Sequence, residues 1–413
     1  MSFADEARAL DATDPLAAAR DLFVLPDGVI YLDGNSLGAL PRATAPRVGR
    51  VIEREWGERL IRSWNGSAPD GISGWIDLPQ RVGAKIAPLI GAAGHEVIAC
   101  DSTSVNLFKL LGAALELRSG RRVIVSEPGS FPTDLYMIQG LQQLGLAEQR
   151  LAEPEALVGA LDRDVAAVLL SHVHYKTGRV HDMAAITAAA QAAGALAIWD
   201  LSHSAGAIEI DLSGSNADLA VGCGYKYLNG GPGAPAFLYV AERLHADIAN
   251  PLSGWMGHTA PFAFADAYAP AAGITRMLAG TPQILGLAAL DCGVETIASL
   301  GMPALGAKSA ALTDFFVRAV AAICPGLRLV SPAPPAPRGS HVSLRHPEAY
   351  AICQALIARG VIGDFRDPDI LRFGFTPAYL GFAEVWRAVE QIAAVLDARE
   401  WDHPQHRLRL AVT

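Results

Sequence analysis

From about residue 84 the chain alternates short apolar runs with longer stretches of helical character, an order that few architectures accept. Strands are predicted at Val97 to Cys100, Arg122 to Ser126, Ala166 to Ser171, Ala195 to Asp200, Leu219 to Gly222 and Ala236 to Val240. Helices are predicted through Asn106 to Leu117, around Thr133 to Leu144, and from Met183 to Ala193. Strands joined through helices of ten or more residues pair side by side in parallel, with helices covering both faces of the sheet. In such sheets ligands bind at the carboxyl ends of the strands.

After about residue 297 the pattern changes. A helix near Ala304 to Ile323 leads into a strand Leu327 to Val330, a proline-rich turn Ser331 to Arg338 and a strand His341 to Leu344. A helix Pro347 to Arg359, a strand Val361 to Asp364 and a closing helix Phe382 to Leu396 follow, which reads as a smaller α+β layer. The fold class is therefore α/β: a large domain with a mostly parallel sheet covered by helices, plus a smaller α+β domain. With 413 residues, 51% of them hydrophobic and 18% charged, the chain has the apolar material for such a core.

The formal charge of -9 gives no bulk attraction to nucleic-acid phosphates or anionic lipid, so neither is expected as a partner. The longest uncharged run, Met183 to Trp199, reads as a helix followed by a strand, and no membrane span is predicted. Asp5 and Glu6 lie early in a start without an apolar core, which fits neither a secretory signal nor a transit peptide; a cytoplasmic location is expected. Cys100, Cys223, Cys292, Cys324 and Cys353 are scattered, with no Cys-x-x-Cys pair, and read as small buried hydrophobes in a reducing compartment.

The chemistry concentrates between Ala197 and Gly233. Asp200 closes an apolar strand, and Lys226 follows the next strand inside a glycine-rich turn. Taken singly, Asp200 reads better as a helix cap and Lys226 as a solvated loop lysine; jointly, at adjacent strand ends, the two read better as serving one ligand. A lysine amine attacks carbonyls only when unprotonated, a form that packing among Gly, Tyr and Cys favours by desolvation. That chemistry suits pyridoxal phosphate, whose ring is an electron sink while a carboxylate keeps its nitrogen protonated. His203, three residues after Asp200, is placed to support that carboxylate or lie against the ring. Asp101-Ser-Thr-Ser-Val-Asn106, between a strand and a helix, offers hydroxyls and free amides for a phosphate, and works as well as a plain N-cap. No Gly-x-Gly-x-x-Gly opens a helix and no Walker sequence occurs, which argues against dinucleotides and nucleoside triphosphates. His172, His174 and His181 lack a further ligand at a familiar spacing, so no metal is expected.

Along nearly its whole length the sequence resembles kynureninase, a pyridoxal-phosphate family of the aspartate-aminotransferase fold (fold type I, class V-like). The matching segments are Tyr31-Leu-Asp-Gly-Asn-Ser-Leu-Gly, Phe131-Pro-Thr-Asp, Ser171-His-Val-His-Tyr-Lys-Thr-Gly, Asp200-Leu-Ser-His, Gly224-Tyr-Lys-Tyr and Gly254-Trp-Met-Gly-His. The resemblance implies that Lys226 bonds to the cofactor and moves the substrate α-proton, and that Asp200 pairs with the ring nitrogen. It implies further that Thr103 and Ser104 bind cofactor at a helix start, that Phe131 stacks on the ring, and that Asp134, Ser171 and His203 line it. Tyr225 would lie near the phosphate and donate a proton late in the reaction. Trp255 and Thr281 would reach the site from a neighbouring subunit, implying a homodimer. Arg372, in Leu371-Arg-Phe-Gly-Phe-Thr-Pro, matches the arginine that binds the substrate α-carboxylate, where a two-pronged guanidinium suits a planar anion, with Ser36 also in the substrate site.

The implied reaction is hydrolytic cleavage of the Cβ–Cγ bond of kynurenine to anthranilate and alanine, a step of tryptophan catabolism and NAD biosynthesis. Animal members carry Asn where this chain has Thr281, which favours plain kynurenine over its 3-hydroxy form. The implied division is an N-terminal segment 1–55 serving the small domain and dimer contacts, a large cofactor domain 56–296, and a small domain 297–413. Rival readings on the same fold are a class V aminotransferase, a cysteine desulfurase or selenocysteine lyase, and a catalytically silent binding protein. A desulfurase needs a cysteine on a mobile loop of the small domain, a position that neither Cys324 nor Cys353 is expected to hold.

Overall fold

The structure, a computed structural model, describes residues 2–409; Met1 and residues 410–413, the outer ends of the ranges 1–55 and 297–413, lie outside the described residues. Seven strands form the central sheet: β1 (Val97–Ala99), β2 (Val123–Ser126), β3 (Glu148–Leu151), β4 (Val165–Ser171), β5 (Leu196–Asp200), β6 (Leu219–Gly222) and β7 (Phe237–Val240), in the order β1-β7-β6-β5-β4-β2-β3. Every residue of β4, β5 and β6 is buried, as a sheet covered on both faces requires. The helices that cover it begin where their capping residues predict. Ser102 accepts from the Val105 amide at the start of Thr103–Leu117, and Asp182 does the same for Ala185 at the start of Met183–Ala192. Met183 to Trp199 is thus a helix and a strand.

Three features depart from the sequence pattern. The strand β7 runs antiparallel to both of its neighbours, β1 and β6. The reason is the connection: no crossover helix separates β6 from β7, so the chain turns back directly, and Lys226 sits in that turn. The edge strand β3 went unpredicted because three of its four residues, Glu-Gln-Arg, are polar and none of the four is buried. The helix Ile284–Ala298 also went unpredicted, since Gly286 and Gly293 interrupt its pattern. Gly293 is required there: a Cβ would lie 2.2 Å from the Leu228 carbonyl oxygen, directly behind the lysine turn.

In the small layer, β8 (Arg328–Leu329), β9 (His341–Arg345), β10 (Asp364–Arg366) and β11 (Ile370–Gly374) form an antiparallel sheet of order β8-β9-β11-β10. The single strand predicted at Val361 to Asp364 is in fact two. Val361–Ile362 pairs in parallel with Ile30–Tyr31, and after Gly363 the chain enters β10. A Cβ at Gly363 would meet Phe373 and the Arg372 carbonyl at 2.8 and 2.9 Å, so the crossing between sheets needs glycine.

The N-terminal segment packs on this layer. Phe3 stacks on Trp386 with ring centroids 5.5 Å apart, and the Asp11 carboxylate accepts from the Phe382 and Ala383 amides, capping the closing helix Phe382–Asp397. From Ile30–Tyr31 the chain runs through Asp33 to Gly38 into the cleft between the layers. Among the described residues no single helix is long and apolar enough to cross a membrane; Ile284–Ala298 and Met302–Ile323 pass such a test only as a pair, bent by 80°.

Candidate active site

Ser171 at the end of β4 and Asp200 at the end of β5 are register partners, and Asp200 in turn pairs with Val221 near the end of β6. Three adjacent strands therefore deliver Ser171, Asp200 and the Lys226 turn to one place. Thr103, Ser104, Phe131, Asp134, Ser171, Asp200, His203, Tyr225 and Lys226 line a single pocket, joined by Ser102, Thr133, Val173, Tyr175 and Ser202. Nine predicted residues from five segments of sequence converge.

Within it, Lys226 stands apart from the chain's other lysines. Lys85, Lys109 and Lys308 are ion-paired, and Lys176 is half exposed over the Tyr175 ring. Among the described residues Lys226 is the one buried lysine without an ion pair. Its Nζ lies 5.6 Å from the Phe131 ring centroid and 5.8 Å from that of Tyr225. Asp200 Oδ1 accepts from the Ser202 amide at 2.8 Å and hydroxyl at 2.6 Å, while Oδ2 takes no hydrogen bond from the protein. Burial pushes the Asp200 carboxyl upward, opposed by Ser202 and by the charge of Lys226. Asp134 is pushed up further, by burial and then by the charge of Asp200; its Oδ2 accepts from Ser171 at 3.1 Å and its Oδ1 has no partner. His203 is held well below its ordinary value by burial and by the nearby cations Lys226 and Arg372, so it is neutral, with Nδ1 unpartnered.

At one wall the helix Thr103–Leu117 starts. Ser102 satisfies the Val105 amide with its hydroxyl and the Asn106 amide with its carbonyl, so the amides of Thr103 and Ser104 point outward without acceptors. Such an end attracts an anion.

Ser36 and Arg372 form a second group beside the pocket. Arg372 is 1% exposed and its Nη1 donates to the carbonyl of Tyr175, a residue of the pocket wall. Its Nε and Nη2 grip both oxygens of Asp364, and Nη2 also reaches Ser36 Oγ at 3.1 Å. The Asn35 amide, turned so that its oxygen faces the guanidinium, accepts from Nε at 2.9 Å and Nη2 at 3.1 Å. The expectation of a free two-pronged edge on Arg372 is therefore corrected: Asp364 and Asn35 already occupy it, because β10 and β11 pair Asp364 directly opposite Arg372. Sequence reading missed Asp364 altogether, whereas Asn35 and Tyr175 stood inside segments it had singled out.

Within one copy of the chain Trp255 and Thr281 do not reach the pocket. Both are exposed, and Trp255 packs against Phe262 and Phe264 on a surface loop. His172, His174 and His181 do not converge either: His172 faces Trp199, His174 stacks on Tyr175, and His181 bonds Glu127 at 3.0 Å. Among the described residues no three His, Cys, Asp or Glu side chains are grouped to hold a metal ion.

The family model described as "Kynureninase C-terminal domain" matches residues 305–392. A kynureninase of Burkholderia mallei is 53% identical, and one of Pseudomonas fluorescens 51% identical, each alignment covering 100% of both chains. The chain belongs to the kynureninase family. Solved structures similar to this kynureninase-family chain include an apo cysteine desulfurase from Thermococcus onnurineus, with a TM-score of 0.78 at 18% identity over 92% of this chain and 98% of that one. A lysine-to-alanine variant of C-DES with glycine covalently linked to its PLP cofactor has a TM-score of 0.75 at 18% identity, over 91% and 98%. At that identity they show the fold, that of PLP-dependent fold type I enzymes, and the α/β class is as predicted. All five cysteines of the kynureninase-family chain are buried and free. Cys324 and Cys353 bond the carbonyls of Val389 and Gly363 in the small layer, and burial pushes both thiols up, Cys324 to about 12.

Proposed function

We propose that this chain uses pyridoxal phosphate to cleave the Cβ–Cγ bond of L-kynurenine hydrolytically, releasing anthranilate and L-alanine. The observation that carries the reading is a buried, unpaired Lys226 facing Asp200 at adjacent strand ends, in a chain matched over its full length by kynureninases. The pocket fits that cofactor by what it leaves unsatisfied: the Thr103 and Ser104 amides for a phosphate, the free Oδ2 of Asp200 for a protonated ring nitrogen, and Asp134 Oδ1 and His203 Nδ1 buried without partners. When bound, pyridoxal phosphate supplies an electron sink conjugated to the substrate α-carbon.

Lys226 Nζ is the amine that would hold the cofactor and accept the substrate α-proton. Asp200 Oδ2 would hold the proton of the ring nitrogen, and Asp134, with Ser171 donating to it, would line the cofactor beside it. Phe131 and His203, both in the pocket lining, would pack against the ring and exclude water from it. Tyr225, its phenol kept protonated by burial and by the neighbouring Cys223 and Asp200, donates a proton from its hydroxyl late in the reaction. Arg372, with Ser36 beside it, holds the substrate α-carboxylate.

Trp255 and Thr281 complete the site from a second copy, so the active form is a homodimer; Thr281 in place of Asn favours kynurenine over its 3-hydroxy form. The domain division 1–55, 56–296 and 297–413 is retained, and five unpaired buried thiols fit the reducing cytoplasm. Those thiols also leave no nucleophile for the desulfurase reading. The test is product analysis of purified protein, reconstituted with pyridoxal phosphate and given L-kynurenine. Equal amounts of anthranilate and alanine are expected; a keto acid formed only with an amino acceptor would establish the aminotransferase instead.

A further inference from the structure

Arg372 and Asp364 are both buried, with side chains 2% and 1% exposed, and face each other across the β10–β11 pair. The register of the sheet sets Asp364 directly opposite the arginine, which brings the two side chains together. Asp364 is itself pinned: Ser36 donates to its Oδ2 at 2.7 Å, and Arg366 bonds the same oxygen at 2.8 Å. The Nε–Nη2 edge of Arg372 is closed. Its Nη1 retains one hydrogen beyond the bond to Tyr175, and it is this corner that adjoins the pocket wall.

The charges agree with the geometry. Two guanidinium groups, Arg366 and Arg372, share one carboxylate, Asp364. The group's other acid, Asp33, is pushed up to about 7 by burial and by the charge of Asp364. Near neutrality Asp33 is only partly ionised, so the cluster keeps part of a positive charge uncompensated, which the carboxylate of an incoming amino acid neutralises.

We propose that Asp364 is a positioning residue for substrate recognition: it holds the Nε–Nη2 edge of Arg372 so that the guanidinium meets the substrate α-carboxylate through Nη1 alone. This rests on the kynureninase reading. It assigns Asp364 the selectivity for amino acids over amines, through an arginine it aims and does not compete for.

The test compares L-kynurenine with its decarboxylated amine, as competing ligands of the holoenzyme, in wild type, Asp364→Asn and Ser36→Ala. Wild-type conversion of L-kynurenine is measured first, and its absence overturns the functional reading together with the inference. Given that conversion, Asp364→Asn is expected to lower the preference for acid over amine by on the order of ten- to a hundredfold, the weight of one or two charged hydrogen bonds. Its KM is expected to rise more than its kcat falls. Ser36→Ala, which removes one of the three partners of Asp364 Oδ2 and changes no charge, is expected to move the same ratio in the same direction by less, and it decides the matter if Asp364→Asn does not fold. An unchanged acid-to-amine ratio in the folded variants overturns the inference and leaves the functional reading standing.

Discussion

Lys226 and Asp200 were legible because each follows a recognisable apolar strand, and a parallel sheet brings successive strand ends together. Asp364 was not, because its meaning depends on which residue the register sets opposite it, and β11 with its central arginine does not read as a strand. Asp33 belongs to the same hidden group, and it has a measurable consequence. Its carboxyl titrates near 3.8 in the unfolded chain and about 7 in the folded one. Through that window the native state keeps a proton that the unfolded state has released, so its contribution to stability is present below about pH 4 and lost by about pH 7. Asp33→Asn removes the loss. Its melting temperature relative to wild type should rise steadily between those pH values, and a difference that stays flat with pH would contradict the assignment.

At the scale of elements, the strands and helices of the large layer announced themselves through apolar runs and capping residues, whereas the connections that place the site did not. The segment from Asp33 to Gly38 is an example. The Gly38 amide donates to the Tyr225 carbonyl, and a Cβ at Gly38 would lie 2.2 Å from the Lys226 carbonyl oxygen and 2.6 Å from Asn229 Nδ2. The N-terminal segment therefore presses on the lysine turn, as the Ile284–Ala298 helix also does. Gly38→Ala should cost about 1–3 kcal/mol of stability through overpacking, and should weaken cofactor binding in an absorbance titration. Gly140→Ala, inside a helix with nothing within 4 Å, is the control. It should stabilise by up to about 1 kcal/mol and leave the titration unchanged.

At the scale of the whole molecule, the exposed Trp255, Phe262 and Phe264 and the absence of Thr281 from the lining of its own pocket make sense if two copies complete each other. Mixing a Lys226→Ala protein with a Trp255→Ala protein should restore activity that neither has alone, because one site of the mixed dimer is intact. Failure of dimers that demonstrably exchange subunits to regain activity would confine the site to one chain. The account as a whole stands on the lysine at its centre. Borohydride reduction of the reconstituted protein, followed by peptide mapping, should place the pyridoxyl group on Lys226. In Lys226→Ala, cofactor is expected to bind without becoming fixed, and turnover to be lost. A label on Lys109, Lys176 or any other lysine of the wild-type protein would contradict it.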